Sequence, residues 1–144
     1  DIHRLKYAMY LNNDAYEALK KMIDAMPDEI ANDFYVKEAY ISFTDLQYSN
    51  PNLAGKDERQ LGNTVSIASK SIAYHEFETS ALSQWLEAHS YEYGFTLRYP
   101  KRMASSTNHV YDAHYYRYVG KKNANKIYKE NSCIEEYNQK ETAE

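Results

Sequence analysis

Asp112 and His114 are the acid–imidazole pair whose spacing in this sequence best suits chemistry. They stand two residues apart in a stretch that predicts a β-strand, so both side chains are expected on one face of a sheet. A carboxylate beside an imidazole can hold a metal ion or transfer a proton. Two residues do not complete a metal site, and an ordinary exposed or hydrogen-bonded pair is the simpler interpretation.

The other histidines and the cysteine give weaker signals. His75, Glu76 and Glu78 are close along the chain, but metal ligands must converge in space and neighbouring side chains usually diverge. His89 falls on the inner stripe of a predicted helix and is interpreted as a packed histidine. Cys133 is the only cysteine, which excludes an internal disulfide, a zinc ribbon and a cysteine-based iron–sulfur site. No base lies near it in sequence to activate its thiol.

Composition limits the kind of protein. The chain has 144 residues, 17 basic and 21 acidic side chains, and a formal net charge of −4. This length fits one domain, and the mild acidity argues against a dedicated nucleic-acid binder. The apolar runs are too short to predict a transmembrane helix, and no Gly-rich phosphate loop, His-Glu-x-x-His or Gly-x-Ser-x-Gly motif occurs. Sixteen tyrosines suit either half-buried faces of strands and helices or the lining of a binding cleft.

Hydrophobic periodicity and turn residues predict the elements that position these side chains. Asp14 and Glu17 form a capping-box pattern for a first helix that Pro27 ends. The other predicted elements are strands at 33–43, 64–68, 95–99 and 110–119, helices after Thr79 and at 123–130 and 134–138, and loops at 44–57, 69–78 and 101–108. Helices and strands mix without regular βαβ alternation, which favours a single α+β domain with an antiparallel sheet. We expect the domain to span 1–138 and a polar tail to follow at 139–144.

Four motifs in the chain resemble one known family. Their order and spacing match the pattern of the VanY-like D,D-carboxypeptidases. The four motifs are Trp85-Leu86, Tyr93 to Pro100, Arg117 to Gly120 and Ile134 to Tyr137. This family also includes L,D-carboxypeptidases, and its members act on peptidoglycan stem peptides with zinc. The resemblance implies the D,D-carboxypeptidase fold of the VanY and hedgehog-like type, a small antiparallel sheet flanked by helices. It also implies an exported bacterial cell-wall protein, extracellular or at the cell surface, with any signal or anchor upstream of Asp1.

The zinc-site positions of the family carry different residues here. The resemblance places Arg59 at the first zinc-binding His, Ser66 at the Asp ligand, and Tyr115 at the second His. Asp112 aligns with the general-base Glu, and His114 stands at a Trp position, one residue out of register with the zinc-binding His. The alignment therefore predicts that all three metal ligands are missing.

These substitutions oppose zinc chemistry. Arg59 is a permanent cation that would repel Zn²⁺, Ser66 is a poor neutral ligand, and Tyr115 would have to lose its proton. The substrate-clamping Arg of the family would fall at Ser42. We expect a replacement ion pair between Arg59 and Asp112 where the family holds its metal, and no cofactor.

The leading hypothesis is a catalytically degenerate domain that binds a peptidoglycan peptide or a protein partner in the cleft that corresponds to the active site of the family. Arg and Tyr side chains suit a peptide carboxylate through bidentate hydrogen bonds and stacking. The candidate ligand-binding residues are Arg59, Ser66, Arg98, Asp112, His114, Tyr115 and Arg117, with Tyr111, Tyr116 and Tyr118 on the same strand. For Arg98 and Arg117, a structural ion pair is the simpler interpretation.

Two alternatives stay open. One is an active peptidoglycan carboxypeptidase with a rearranged zinc site, in which Asp112, His114 and the cluster around His75 converge. It requires ligand atoms within about 2.0–2.2 Å of one metal position. The other is a purely structural interaction domain, whose cleft would be plugged by Tyr side chains. Contact with nucleic acid or membrane is not expected within this segment.

Overall fold

A four-stranded antiparallel sheet forms the centre of the fold, in a computed structural model that describes residues 10–143. Residues 1–9 and 144, which belong to the predicted domain and tail, lie outside the described residues. The strands are β1 Phe34–Glu38, β2 Thr64–Ser69, β3 Phe95–Tyr99 and β4 Asp112–Tyr118, in the spatial order β1-β2-β4-β3. The helices are α1 Asn13–Ala25, α2 Asp28–Asp33, α3 Phe43–Ser49, α4 Ala81–His89, α5 Ala104–Thr107, α6 Lys121–Lys129 and α7 Ile134–Ala143. Short 3₁₀ helices lie at Glu58–Leu61, Tyr74–Thr79 and Ser90–Tyr93. The predicted α+β architecture is confirmed.

One face of the sheet carries the hydrophobic core. β2 lies inside the sheet, between β1 and β4, and all six of its residues are buried. Val65 and Ile67 belong to one cluster with Leu19 of α1 and Leu86 of α4, as the periods of two in a strand and 3.6 in a helix require. Ser66, between the two apolar residues, therefore points to the opposite face.

The first predicted helix is capped by a different residue. The side-chain oxygen of Asn12 accepts a 2.9 Å hydrogen bond from the backbone N–H of Ala15 and caps α1. Asp14 lies inside the first turn, so the predicted capping box is wrong. Pro27 ends the helix as predicted, because Met26 before it is extended, with φ −68° and ψ 142°.

The cap of α4 is one residue later than predicted. The hydroxyl of Ser80 accepts a 3.1 Å hydrogen bond from the backbone N–H of Ser83, whereas the hydroxyl of Thr79 donates to a backbone carbonyl of the preceding 3₁₀ helix. Leu82 and Leu86 are buried on the inner stripe, as the periodicity predicts. Ser and Thr at adjacent positions are both good caps, so sequence could not choose between them.

Two short helices fall in predicted loops. α3 is capped by Ser42, whose hydroxyl accepts from the backbone N–H of Asp45 at 3.0 Å, and Leu46 is its one buried residue. One buried residue in seven produces no apolar periodicity from which a helix could be predicted. None of the four residues of α5 is buried. Conversely, β1 ends at Glu38 instead of residue 43, and α7 continues past residue 138 to Ala143. No helix within residues 10–143 is long and apolar enough to cross a membrane.

Gly94 closes the turn into β3 and has no room for a side chain. Its φ is +90°, and an added Cβ would lie 2.7 Å from the Tyr118 ring and 3.1 Å from the backbone of Gly120. We expect Gly94→Ala to lower the free energy of unfolding by about 2–3 kcal/mol in urea denaturation. The matched control is Gly55→Ala, at φ +80° but only in ordinary contact with Phe43, which we expect to cost about 1 kcal/mol. Equal losses in the two variants would contradict a role for close packing at Gly94.

Candidate functional site

A β-bulge in β1 turns Glu38 to the face of the sheet opposite the core. Val36 pairs with Ile67, but Glu38 pairs with Ser66, because the register shifts between them. Regular pairing would have placed Glu38 on the core face with Val36. Ser66 in turn pairs with Tyr115 of β4, so Glu38, Ser66 and Tyr115 lie side by side across three strands. We call the surface above these three residues the cleft.

Arg59 reaches the cleft from the 3₁₀ helix Glu58–Leu61 and is held there by two carboxylates. Its Nη2 donates to Oδ2 of Asp57 at 2.6 Å, and its Nε donates to Oδ1 of Asp57 at 3.0 Å. Its Nη1 donates to Oε2 of Glu38 at 3.0 Å. The same Glu38 oxygen accepts a hydrogen bond from the hydroxyl of Tyr115 at 2.6 Å. We call Glu38, Asp57, Arg59 and Tyr115 the Arg59 cluster.

The expected ion pair between Arg59 and Asp112 is wrong. Among residues 10–143, the ion-pair partners of Arg59 are Asp57 and Glu38, and Asp112 instead accepts the backbone N–H of His114 at 2.9 Å. Sequence reasoning missed Glu38 because alternation cannot reveal a bulge. Asp57 left a usable signal, since an Asp before a turn is a common cap, and it does accept the backbone N–H of Arg59 at 2.9 Å.

Hydrogen bonds and burial fix the protonation states in the Arg59 cluster. The side-chain hydrogen bond from Arg59 lowers the pKa of the Asp57 carboxyl, and this outweighs the opposing effect of burial. Burial raises the pKa of Tyr115 well above its usual value, and the hydrogen bond and charge of Glu38 raise it further, while the charge of Arg59 opposes them. At neutral pH Asp57 is therefore charged and Tyr115 keeps its proton.

Arg98 and Arg117 form a second ion network beside the cleft. Nε of Arg98 donates to both oxygens of Glu58 at 2.8 and 2.9 Å, and its Nη2 lies 2.5 Å from Glu135. Nη1 of Arg117 donates to Glu58 at 3.1 Å. Two guanidinium groups thus face two carboxylates, which favours structural ion pairs for both arginines, but Nη1 of Arg98 and Nε of Arg117 are buried without a hydrogen-bond partner among the described residues.

A cavity of about 480 Å³ lies between the Arg59 cluster and this second network. Its walls include Lys56, Thr64, Tyr99, His109 and Tyr115. The rings of Tyr99 and His109 stack at a centroid distance of 3.9 Å. The tyrosines line this space and do not plug it, which leaves room for a small peptide.

His114 is placed away from the Arg59 cluster, inside the fold. Its ring is 6% exposed, with Nδ1 2.7 Å from the carbonyl oxygen of Ile67 and Nε2 2.9 Å from that of Tyr74. The ring lies between those of Tyr74 and Phe77. Both nitrogens are engaged by backbone carbonyls, so the structure does not offer His114 as a ligand or base beside Asp112.

The other sequence candidates are dispersed. His75, Glu76 and Glu78 lie on the 3₁₀ helix Tyr74–Thr79 and are exposed, because Phe77 is the residue that this helix buries. His89 is packed only in part: its ring lies 4.9 Å from that of Trp85, but its side chain is 44% exposed and its Nδ1 lies 3.3 Å from Glu92. Cys133, expected in a polar setting, is fully buried, and burial raises the pKa of its thiol. These residues do not converge with Asp112 or His114 on one metal position.

The sequence and the fold have known relatives. The family model for D-alanyl-D-alanine carboxypeptidase (VanY) matches residues 46–121, more than half of the chain, including Arg59, Ser66 and Tyr115. The chain belongs to this family. A D-alanyl-D-alanine carboxypeptidase of Enterococcus faecalis is 32% identical over 124 residues, which cover 85% of this chain and 44% of that protein.

Solved VanY-type structures share the fold described above. The LdcB LD-carboxypeptidase superposes with a TM-score of 0.83 at 25% identity, covering 96% of this chain and 74% of that one. A VanY D,D-pentapeptidase from a VanB-type resistance cassette, solved in complex with Zn(II), gives 0.73 at 26% identity, covering 95% and 88%. The chain spans 54% of the length of one curated relative and 44% of two others.

The residues of this VanY-family chain do not fit the zinc ion of the family. The guanidinium of Arg59 already supplies positive charge between Asp57 and Glu38, and the protonated hydroxyl of Tyr115 donates a hydrogen bond instead of a lone pair. The hydroxyl oxygen of Ser66 is buried beside the hydroxyl of Tyr74, and a neutral hydroxyl is not among the usual zinc ligands. Across residues 10–143, no group of three or more His, Cys, Asp or Glu side chains could hold a metal ion.

Proposed function

We propose that this VanY-family domain is catalytically degenerate and binds a peptidoglycan stem peptide in its cleft without zinc. The observation that carries the proposal is the Arg59 guanidinium, which Asp57 and Glu38 hold and which the motif alignment matches to the first zinc-binding His of the family. Family catalysis needs a metal to polarise a carbonyl and acidify a water. A guanidinium can hydrogen-bond a carbonyl oxygen, but it cannot coordinate a water molecule and lower its pKa as a metal does.

The peptide ligand is supported by the cleft and by a relative. The cavity of about 480 Å³ beside the Arg59 cluster has the size of a small-molecule site, and its arginine side chains suit a peptide carboxylate. A VanYB structure that shares this fold, with a TM-score of 0.77 at 24% identity, contains D-alanine-D-alanine. We place the domain at the bacterial cell surface for the same reason, because its ligand would be there. A protein partner in the cleft is the second binding candidate.

Calorimetry with zinc tests the loss of catalysis. We expect chelator-stripped chain to show no zinc binding at micromolar concentrations, and to release no D-alanine from a stem pentapeptide in mass spectrometry. An NMR titration with the same pentapeptide should shift the amides of Tyr99 and Tyr115, which line the cavity. Stoichiometric zinc binding with D-alanine release would overturn the proposal in favour of an active enzyme. Unchanged amide shifts at millimolar peptide would overturn the peptide-binding part.

A further inference from the structure

His114 is surrounded by hydrogen-bond acceptors although it is buried. Its Nδ1 faces the carbonyl of Ile67 at 2.7 Å, and its Nε2 faces the carbonyl of Tyr74 at 2.9 Å. Carbonyl oxygens only accept hydrogen bonds, so both contacts require a proton on each ring nitrogen. The neutral ring carries one such proton, whereas the imidazolium carries both. The geometry therefore selects the charged form.

The aromatic neighbours of His114 also favour a cation. The rings of Tyr74 and Phe77 stack on it at centroid distances of 3.7 and 4.4 Å, with interplanar angles of 4° and 19°. The negative face of an aromatic ring attracts a cation placed over it. The 6% exposure of His114 keeps water from replacing either carbonyl contact.

Charged groups face this stack from three elements. β1 contributes Lys37, whose Nζ lies 3.7 Å above the Tyr74 ring and opposes a second cation. β1 also contributes the carboxylate of Glu38, and β4 contributes that of Asp112; both favour a positive charge on His114. Burial raises the pKa of the Tyr74 hydroxyl, and these two carboxylates raise it further. The 3₁₀ helix carries the exposed residues His75, Glu76 and Glu78. β2 presents the Ile67 carbonyl and no charged side chain.

We propose that protonated His114 is a pH-sensitive clasp that fastens the 3₁₀ helix Tyr74–Thr79 to the sheet, and that loss of its charge releases this helix. A neutral ring would point one lone pair at a carbonyl oxygen, and the two would repel each other. The contact between His114 and the Tyr74 carbonyl breaks first, because it is the longer of the two and Tyr74 begins a short 3₁₀ helix. The Ile67 carbonyl is fixed within β2.

Release of this helix would move one wall of the cleft. The Tyr74 ring is 44% exposed, and its hydroxyl lies near Glu38 of the Arg59 cluster and beside Ser66. The clasp therefore couples pH to the shape of the surface on which a ligand would lie. The clasp forms without a bound ligand, so an experiment on the clasp does not depend on whether the cleft binds a peptide.

Nitrogen NMR of the full chain tests the charge directly. With ¹⁵N-labelled histidine, and His114→Gln to assign its signals, we expect both ring nitrogens of His114 to show protonated-type shifts at pH 5.5. At pH 8.5 one of them should show the shift of a bare nitrogen. A single protonated nitrogen at pH 5.5 would overturn the proposal.

Hydrogen exchange tests the release. After correction for intrinsic exchange, protection of the Ser80 amide, which donates to Phe77 at 2.9 Å, should fall at least tenfold from pH 5.5 to 8.5. In His114→Gln, which cannot titrate, protection of this amide should be independent of pH. The Val119 amide, bonded to Gly94 at 2.9 Å, is the control and should not change in either protein. An equal loss of amide protection at Ser80 and Val119, or no loss of protection at Ser80, would contradict a local clasp.

Discussion

The triple variant Arg59→His, Ser66→Asp, Tyr115→His is expected to bind one zinc ion per chain from micromolar solution, at least 100-fold more tightly than the parent chain. The three positions already converge, since Ser66 pairs with Tyr115 and both Arg59 and Tyr115 donate to one oxygen of Glu38. Two imidazoles and a carboxylate are a ligand set that zinc prefers. The metal would also replace the positive charge that Asp57 and Glu38 lose with Arg59. Calorimetry on chelator-stripped protein measures the gain.

The control for this experiment is Ser66→Asp, Tyr115→His with Arg59 retained. It supplies two ligands but keeps the repelling guanidinium, so it should bind at least tenfold more weakly than the triple variant. Circular dichroism establishes that each variant is folded. A folded triple variant that binds no zinc would show that more than these three substitutions separates this cleft from a zinc site.

Arg59→Met is expected to destabilise the chain by about 2–4 kcal/mol. Arg59 is 21% exposed and its partner Asp57 is 12% exposed, so removing the guanidinium leaves a largely buried carboxylate without its counter-charge. Within residues 10–143, Asp57 keeps the hydrogen bond from the backbone N–H of residue 59 but loses those from Nε and Nη2. Urea denaturation at neutral pH measures the loss. Adding Asp57→Asn to this variant should recover part of it, because the uncompensated charge is then gone.

The matched control is Lys140→Met, which breaks the ion pair between Lys140 and Glu130. Those side chains are 64% and 40% exposed, so the change should stay within about 0.5 kcal/mol. The stabilising role of the Arg59 cluster would be contradicted if the two variants lost equal stability. It would also be contradicted if Asp57→Asn gave no recovery in the Arg59→Met background.

Sequence alone was sufficient where a strand or helix is long and buries one regular face. β2, β3 and the inner stripe of α4 were predicted close to their observed bounds, because their alternation or periodicity follows directly from burial. α3 and α5 were missed because short helices with one buried residue or none carry no such pattern. The caps at Asn12 and Ser80 depend on which of several polar residues closes the first turn.

The cleft shows a different limit. Aligning motifs with the family singled out Arg59, Ser66 and Tyr115 as one set, and the structure brings these three residues into one neighbourhood. It could not predict the partners of Arg59, because no family residue corresponds to a new salt bridge. Glu38 depends on the bulge in β1, and a bulge is set by tertiary packing. The spacing of Asp112 and His114 suggested one shared site, but the Asp112 carboxylate accepts the backbone N–H of His114, whereas the imidazole contacts the carbonyl oxygens of Ile67 and Tyr74.

The Arg59 cluster also bears on the history of the domain. Once Arg59, Asp57 and Glu38 depend on one another, a single mutation back to His at position 59 meets two unpaired carboxylates and no complete metal site. Each ancestral residue would be harmful alone and useful only with the others. Under the proposed loss of catalysis, these mutual salt bridges would therefore oppose a stepwise return of the zinc ligands.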